Sequence, residues 1–318
     1  MAIAGVDVGG TNIGIGLVDD DHSVSHRAKE PTPTSVDELV GQVGRLVADL
    51  PSKVEAVGLA LPAIVDHNEI VQMPNISGWN PDVDIAAELG DSLGIPVVFA
   101  NDAQAGVVGE WVAGAAVGDS FVLGVWLGTG VGGGLVLDGR SYGGAGGGSG
   151  ELGHMVVRPE GARCGCGRRG CLEAYAGRRM MTASAQALVD AGQSTRLFEI
   201  QAEKEKPKAT SGVWAHAVDE GDAIAIALLD EAVGALGLAV ASSLNLLDLD
   251  RVVIGGGMVD KFPDIASRIA TAARPQVVRP VPDGLVVDAT LGDDSGIVGA
   301  AHIASSSGAN RTEGSPPS

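Results

Sequence analysis

Three cysteines and one histidine are crowded into a short, glycine-rich stretch of the chain. Cys164, Cys166 and Cys171 lie within eight residues, and His154 stands ten residues before the first of them. Three thiolates and one imidazole complete a tetrahedral zinc site with no open position, which is typical of structural zinc. The alternative is three reduced cysteines in a loop, but the glycines between them permit the tight wrap that a metal requires. We therefore predict a structural Zn²⁺ bound by these four residues.

Three clusters of glycines mark places where the backbone can approach a ligand closely. The first follows Asp7, the second begins at Gly128 and the third begins at Gly255. Glycines let backbone N–H groups reach phosphate oxygens, and a carboxylate such as Asp7 beside phosphates acts through Mg²⁺. The third cluster suits a flat ligand such as adenine. The residues predicted to contact such a ligand are Asp7, Gly9, Gly10, Thr11, Asn12, Gly128, Thr129, Gly130, Gly132, Gly133, Gly255, Gly256 and Gly257.

Each glycine cluster also has a purely structural interpretation. A hairpin turn explains the first, and a turn before a helix explains the third. In the second, Gly128, Gly130 and Gly133 match the G-x-G-x-x-G pattern of dinucleotide-binding proteins. That fingerprint must open a helix, whereas a strand-like segment and a turn at Asp138-Gly139 follow here. We therefore predict a second phosphate-binding hairpin and reject a nicotinamide site.

Three carboxylates are candidates for acid–base chemistry, namely Asp102, Glu151 and Glu173. Any one of them taken alone is more often a solvated surface group. Asp102 differs because it lies where a buried-looking strand at 95–100 meets a helix, and open α/β sheets bind ligands at the carboxyl ends of their strands. A carboxylate placed there can accept a hydroxyl proton as the hydroxyl attacks phosphorus. We therefore predict that Asp102 is the catalytic base.

Hydrophobic periodicity indicates the elements that position these residues. Strands are predicted at 2–8 and 13–18, a helix at 35–50 with a capping box of Ser35 and Glu38, and strands at 54–60 and 97–100 before a helix at 102–112. A second series begins with strands at 121–127 and 133–137 and continues with helices at 178–191 and 223–247 and a short strand at 252–254. The pattern indicates two related α/β lobes, followed from residue 305 by a Ser/Gly/Pro-rich tail that we expect to be disordered.

The charge of the chain excludes several classes of partner. The 40 acidic and 21 basic residues give a net charge of −19, spread along the sequence. Such a field repels nucleic acid and anionic lipid, so we expect neither as a partner. Spread acidity with few lysines favours adaptation to a salty cytoplasm over an ordinary acidic cytosolic protein, because ions screen the self-repulsion.

No membrane or secretory segment is predicted. Asp7 interrupts the first apolar stretch, which argues against a signal peptide. The most apolar segment, 232–247, is shorter than the roughly 20 residues of a membrane-spanning helix, so a helix buried between layers is the better interpretation. We therefore expect a cytoplasmic protein.

Taken together, these segments resemble the ROK family of sugar kinases and related repressors. The matching pieces run in the family's order over about residues 3–303: DVGGT at 7–11, PNISGW at 74–79, NDAQAGVVGE at 101–110, GTGVGGG at 128–134, ELGH at 151–154 and CGCGRRGCLE at 164–173. No single glycine motif is specific to this family, but ELGH followed by CGCGRRGCLE is highly specific to it. PNISGW looks like the glucokinase branch rather than the aminosugar branch.

The resemblance implies an α/β, actin-like (ribonuclease-H-like) fold with two lobes, a hinge and a zinc knuckle at 154–173. The small lobe would comprise 1–113, completed by about 297–304, and the larger lobe 114–296, with 305–318 as the tail. ATP and Mg²⁺ would bind between the Asp7 and Gly128 loops. We also expect a homo-oligomer, either a dimer or a tetramer.

The resemblance also assigns the sugar-binding residues, with Asp102 as general base. His154 could ligate zinc through one ring nitrogen and donate from the other to a sugar hydroxyl. Asn12 stands where many family members carry lysine, which removes no catalytic group. The residues implied to hold the sugar hydroxyls are Asn75, Asn101, Asp102, Glu151, His154 and Glu173.

The function expected from these features is ATP-dependent phosphorylation of a hexose, and glucose is the substrate that we expect most. Kinases for N-acetylmannosamine, fructose or allose are the alternatives, and polyphosphate is an alternative donor. A sugar-responsive repressor would need a DNA-binding domain before Asp7 and a less acidic surface. A non-catalytic sugar sensor would be expected to lack Asp102 or the Asp7 loop, and both are present.

Overall fold

In the computed structural model of this protein, the described residues are 2–73, 79–80 and 84–309. The chain has a mixed α/β architecture and divides into two compact units. Unit 1 comprises Met1–Gly124, Gly134–Gly150 and Thr290–Ser318, and unit 2 comprises Val125–Gly133 and Glu151–Ala289. The lobe boundaries stated above, at 113 and 296, stay a prediction.

The strands of the described chain form two main sheets and one hairpin. Sheet 1 has the order β3-β2-β1-β4-β7, sheet 2 has the order β11-β10-β8-β9, and β5 pairs with β6. The strands are β1 (Ile3–Val8), β2 (Asn12–Val18), β3 (Val24–Pro31), β4 (Ala56–Leu61), β5 (Ile64–Asp66), β6 (Glu69–Gln72), β7 (Val97–Asn101), β8 (Val122–Leu127), β9 (Val131–Val136), β10 (Arg251–Gly255) and β11 (Val286–Asp288).

Ten α-helices accompany these strands in the described ranges. Short 3₁₀ turns also occur at Leu152–His154, Val259–Lys261 and Arg274–Gln276. The helices are α1 (Val36–Ala48), α2 (Ile85–Leu93), α3 (Asp102–Ala113), α4 (Glu173–Ala176), α5 (Arg178–Asp190), α6 (Leu197–Glu203), α7 (Ser211–Asp219), α8 (Ala223–Leu247), α9 (Ile265–Ala273) and α10 (Asp294–Ala309).

Sheet 1 is buried on both faces because its central strands carry apolar side chains in both directions. In β4, Val57, Leu59 and Leu61 belong to the apolar cluster that includes α1 and α2. Ala56 and Ala60 alternate with them and pack with residues of α10. This period of two is expected for a strand between two layers of helices. β1 lies parallel to β4, and β4 lies parallel to β7, so the carboxyl ends of all three strands meet at one edge.

Helix α10 lies directly against sheet 1 and α3. A Cβ atom at Gly58 of β4 would overlap the Ala300 carbonyl, and one at Gly299 of α10 would overlap the Ala105 carbonyl. These glycines therefore allow backbone to touch backbone. The helix includes residues 305–309, which composition assigns to the disordered tail, and that part of the prediction is wrong. Small polar residues made the segment look like a tail, but it continues the helix, and the Ser307 hydroxyl donates to the Ile303 carbonyl at 2.9 Å. Residues 310–318 lie outside the described range.

Unit 2 is built around α8, a helix of 25 residues that packs against α4, α5 and α9. Its length and composition would suffice for a membrane span, but 61% of its most apolar window is buried inside the protein. That burial is the behaviour of a core helix and confirms the interpretation of 232–247 as a buried helical segment.

The helix predicted at 35–50 is present as α1, and its predicted cap is present in part. The Ser35 hydroxyl accepts from the Glu38 N–H at 3.4 Å. The Glu38 carboxylate, however, accepts from the N–H of Thr34 at 3.3 Å rather than from that of Ser35. The reciprocal bond of the capping box is therefore displaced by one residue.

Candidate functional site

The first glycine cluster forms the turn between β1 and β2. Asp7 lies in β1, Asn12 opens β2, and the Gly9 N–H donates to the Asn12 carbonyl at 3.0 Å. Thr32, just after β3, braces the turn through its hydroxyl, which donates to the Gly9 carbonyl at 2.6 Å, and through its N–H, which donates to the Thr11 carbonyl at 3.0 Å. The turn therefore has a fixed shape and is attached to three strands.

Asp102 opens α3 directly after β7, as predicted. Asn101 caps the helix, because its Oδ1 accepts from the Gln104 N–H at 3.0 Å while its amide donates to the Ala63 carbonyl at 3.0 Å. The Asp102 Oδ1 accepts from the Ala103 N–H at 2.8 Å. Asp102 is thereby held at the carboxyl end of a strand, where α/β folds bind ligands.

Asp7 stands in an electrostatic field set by neighbouring carboxylates. The pKa of Asp7 is raised to about 7, mainly by burial and also by the negative charges of Asp102 and Asp293, while Lys29 opposes the rise. The parallel arrangement of β1, β4 and β7 explains why Asp7 and Asp102 interact, because their strands end at the same edge of the sheet. Hard divalent cations prefer carboxylate oxygens. Partly buried carboxylates that repel one another therefore fit a site for Mg²⁺ carried by phosphate.

Glu110 is a fully buried carboxylate that the sequence did not single out. It accepts from the N–H groups of Ala115, Thr290 and Leu291 and from the hydroxyls of Thr290 and Ser295, at 2.8–3.2 Å. It therefore ties α3 to the segment between β11 and α10. That segment also carries Asp293, whose negative charge raises the pKa of Asp7.

We expect Glu110→Gln to lower the free energy of unfolding by about 2–4 kcal/mol. The NH₂ group of glutamine would replace one carboxylate oxygen, and the N–H and O–H donors that now bond to that oxygen would lose their acceptor. Urea unfolding of the purified protein measures the loss. Glu55→Gln is the matched control, since Glu55 is exposed and such a surface change stays within about 0.5 kcal/mol. A Glu110→Gln variant as stable as this control would contradict the structural role.

The second glycine cluster forms the turn between β8 and β9, and unit 2 holds it tightly. The Arg178 N–H donates to the Gly128 carbonyl at 3.2 Å, and the Arg179 N–H donates to the Thr129 carbonyl at 3.0 Å. The Glu173 Oε2 accepts from the Val131 N–H at 3.0 Å. The turn comprises 128–130 only, because the predicted residues Gly132 and Gly133 lie within β9.

Glu173 links this turn to the cysteine-rich segment. A Cβ atom at Gly130 would overlap the Glu173 carboxylate, so the turn approaches Glu173 as closely as glycine allows. The other carboxylate oxygen of Glu173 lies 4.0 Å from the Cys164 Sγ. A residue predicted to bind sugar therefore also contacts the loop predicted to bind phosphate.

The third glycine cluster begins at Gly255, the last residue of β10, and packs on the end of β8. Gly256 has a φ of +92°, and a Cβ there would crowd the backbone of Leu127. The Met258 N–H donates to the Leu127 carbonyl at 3.2 Å. Unit 2 therefore brings together the second and third glycine clusters, which are far apart in sequence, at the carboxyl end of β8.

The predicted zinc ligands come together. The Nδ1 or Nε2 of His154 and the Sγ atoms of Cys164, Cys166 and Cys171 all lie within 4.8 Å of one another. His154 Nδ1 is 3.8 Å from the Cys164 Sγ, and its Nε2 is 3.9 Å from the Glu151 carboxylate. Hydrogen bonds from Arg168 lower the pKa of Cys166 to about 6. The donor set and its spacing fit a tetrahedral metal ion.

The predicted site residues fall into one group in each unit. Unit 1 contains the Asp7–Asn12 turn, Asn101 and Asp102, and unit 2 contains Glu151, His154, Glu173 and the two other glycine clusters. Asn75 lies at 74–78, outside the described residues. Sequence reasoning missed Glu110, Asp293 and Arg178, whose partners are distant in the chain.

A model of the ROK family matches residues 3–307, so this chain belongs to the ROK family. A glucokinase of Thermotoga maritima is 32% identical over 313 residues, covering 95% of this chain and 97% of that protein. An N-acetylmannosamine kinase of Citrobacter koseri is 33% identical over 261 residues, covering 81% and 84%. The fold is similar to that of a ROK family glucokinase from Streptomyces griseus in complex with glucose and AMPPNP, with a TM-score of 0.82 and 30% identity over 96% of this chain and 100% of that one.

Proposed function

We propose that this chain is a hexose kinase that transfers the terminal phosphoryl group of ATP to glucose, giving glucose 6-phosphate and ADP. The observation that carries the proposal is the interaction of Asp7 with Asp102 at the carboxyl ends of parallel strands. One carboxylate suits a cation-bound phosphate and the other suits a hydroxyl proton. The full-length similarity to a glucokinase favours glucose as the acceptor.

In the proposed reaction, Asp102 is the general base. Its carboxylate accepts the proton of the sugar hydroxyl while the hydroxyl oxygen forms a bond to the γ-phosphorus and the bond from that phosphorus to the bridging oxygen of ADP breaks. The hydrogen bond from the Ala103 N–H and the cap formed by Asn101 hold the base in place. Mg²⁺, when bound near Asp7, would neutralise charge on the phosphates.

We propose that the sugar is held by Asn75, Asn101, Glu151, His154 and Glu173 together with Asp102. The Asn101 amide donates one hydrogen to Ala63 and has a second to offer. If His154 binds zinc through Nδ1, which faces Cys164, its Nε2–H can donate to a hydroxyl. Zinc would then position a sugar contact as well as stabilise the segment.

A second candidate is a kinase for N-acetylmannosamine, favoured by the similarity to such an enzyme over 81% of the chain. A panel of glucose, N-acetylmannosamine, fructose and allose, each offered with ATP and with polyphosphate, tests both candidates. The proposal requires that glucose with ATP gives the highest kcat/KM. A higher kcat/KM for N-acetylmannosamine would make that sugar the substrate in place of glucose. No phosphoryl transfer to any hexose would favour a non-catalytic sugar sensor. The oligomeric state, the cytoplasmic location and the saline adaptation stay predictions.

A further inference from the structure

Arg178 lies beside the turn between β8 and β9 and was not among the predicted site residues. It is the first residue of α5 and is half-buried. Its Nη2 donates to the Thr129 hydroxyl at 3.1 Å, and its Nη1 donates to the Ser211 hydroxyl at 2.8 Å. The guanidinium is therefore held between the glycine turn and the first residue of α7.

The side-chain partners of Arg178 are hydroxyls rather than carboxylates. Acidic residues outnumber basic ones by 40 to 21, and several arginines of unit 2 pair with carboxylates. Arg196 contacts Glu220 at 3.0 Å, and Arg268 contacts Asp230 at 2.6 Å. Among the described residues, Arg178 forms no ion pair, and burial alone lowers its pKa. An arginine side chain stays protonated in proteins, so here a positive charge is held among neutral hydroxyls.

The surroundings of Arg178 suit an anionic ligand with an attached flat group. Two of the five N–H donors of the guanidinium are used by hydroxyls, which leaves three. A side chain at Gly257 would contact the Ser211 hydroxyl, so the glycine cluster after β10 is adjacent. The N–H groups of Arg178 and Arg179 are already bonded to loop carbonyls, so the side chain, not the helix terminus, offers the donors.

We propose that Arg178 binds the phosphate chain of the nucleotide donor, with Thr129 and Ser211 orienting its guanidinium. This inference rests on the proposed kinase function and names the cation of unit 2 that contacts the donor. A guanidinium forms paired hydrogen bonds with phosphate oxygens, which a lysine cannot reproduce. Arg178 is therefore a phosphate-binding residue rather than a link between two loops.

Calorimetric binding of ADP and of adenosine to the full chain tests the proposal, because adenosine lacks phosphate. For Arg178→Gln we expect ADP affinity to fall about 10- to 100-fold, the range for charged hydrogen bonds, while adenosine affinity stays within about two-fold. Arg268→Gln is the matched control, since it removes the same charge from unit 2 at a residue paired with Asp230, and it should leave both affinities unchanged.

Equal weakening of ADP and adenosine would overturn the proposal, because it would mean that Arg178 only supports the loops. Unchanged ADP affinity would overturn it as well. If Arg178→Gln does not melt cooperatively, Arg178→Lys provides the same comparison, and a loss specific to ADP is again required.

The two proposals fail in different ways. If the parent chain binds ADP more tightly than adenosine through Arg178 but phosphorylates no hexose, only the kinase proposal is wrong. If the parent chain phosphorylates glucose and the Arg178→Gln variant keeps the parental KM for ATP, only the inference about Arg178 is wrong.

Discussion

Asp102→Asn is expected to lower kcat for ATP-dependent glucose phosphorylation by at least about 100-fold, because an amide cannot accept the hydroxyl proton. The asparagine oxygen can still accept from the Ala103 N–H, which now donates to the Asp102 Oδ1 at 2.8 Å. The helix start is therefore preserved, and glucose affinity should change by no more than about ten-fold. Steady-state kinetics and equilibrium binding of glucose measure the two effects separately.

Asp84→Asn is the matched control for this substitution. Asp84 also lies at a helix start in unit 1, and its carboxylate accepts from the Ala87 N–H at 3.0 Å, a bond that asparagine can retain. Its kcat should stay within about two-fold of the parent, as for a surface change. A kcat for Asp102→Asn within a few-fold of the Asp84→Asn value would remove Asp102 from the role of base.

The second large effect is expected for Cys166→Ser. Cys166 is exposed, so replacing its thiol with a hydroxyl leaves no cavity, and any large loss of stability measures the loss of the metal. We expect zinc content to fall from about one per chain to near zero and Tm to fall by about 5–10 °C. Glucose affinity should fall as well, because His154 would lose the ion that orients it.

Elemental analysis and thermal melts with and without a chelator check this expectation. A chelator should lower the Tm of the parent to that of the variant and leave the variant unchanged. An active parent preparation that contains no zinc, or a chelator effect of equal size in both proteins, would contradict the zinc site.

The elements that the sequence predicted best were those with one strong signal. Two short apolar runs around a Gly-Gly-Thr turn indicated β1 and β2, helical spacing of apolar residues indicated α1, and a long apolar run indicated α8. β3 was missed because its sequence, VSHRAKEP, is polar and mostly exposed, as an edge strand can be. The β5–β6 hairpin was missed for a similar reason, since none of its residues is fully buried.

The candidate site was predictable where function depends on local spacing. The four residues from His154 to Cys171 come together as predicted, and Asp102 follows its strand. Glu110 could not be recognised, because its acceptor role depends on Thr290 and Leu291, some 180 residues later in the chain. Arg178 sits in a pair of arginines whose different surroundings appear only when α5 meets the turn at Thr129.

Incubation of the purified chain with ATP, Mg²⁺ and glucose, followed by phosphorus NMR, shows whether this chain phosphorylates glucose. We expect a sugar phosphate with phosphorus on the 6-hydroxyl, formed in equal amount to ADP, and no such product with Asp102→Asn on the same time scale. ATP converted to ADP without any sugar phosphate, or no conversion at all with glucose shown to be bound, would contradict it.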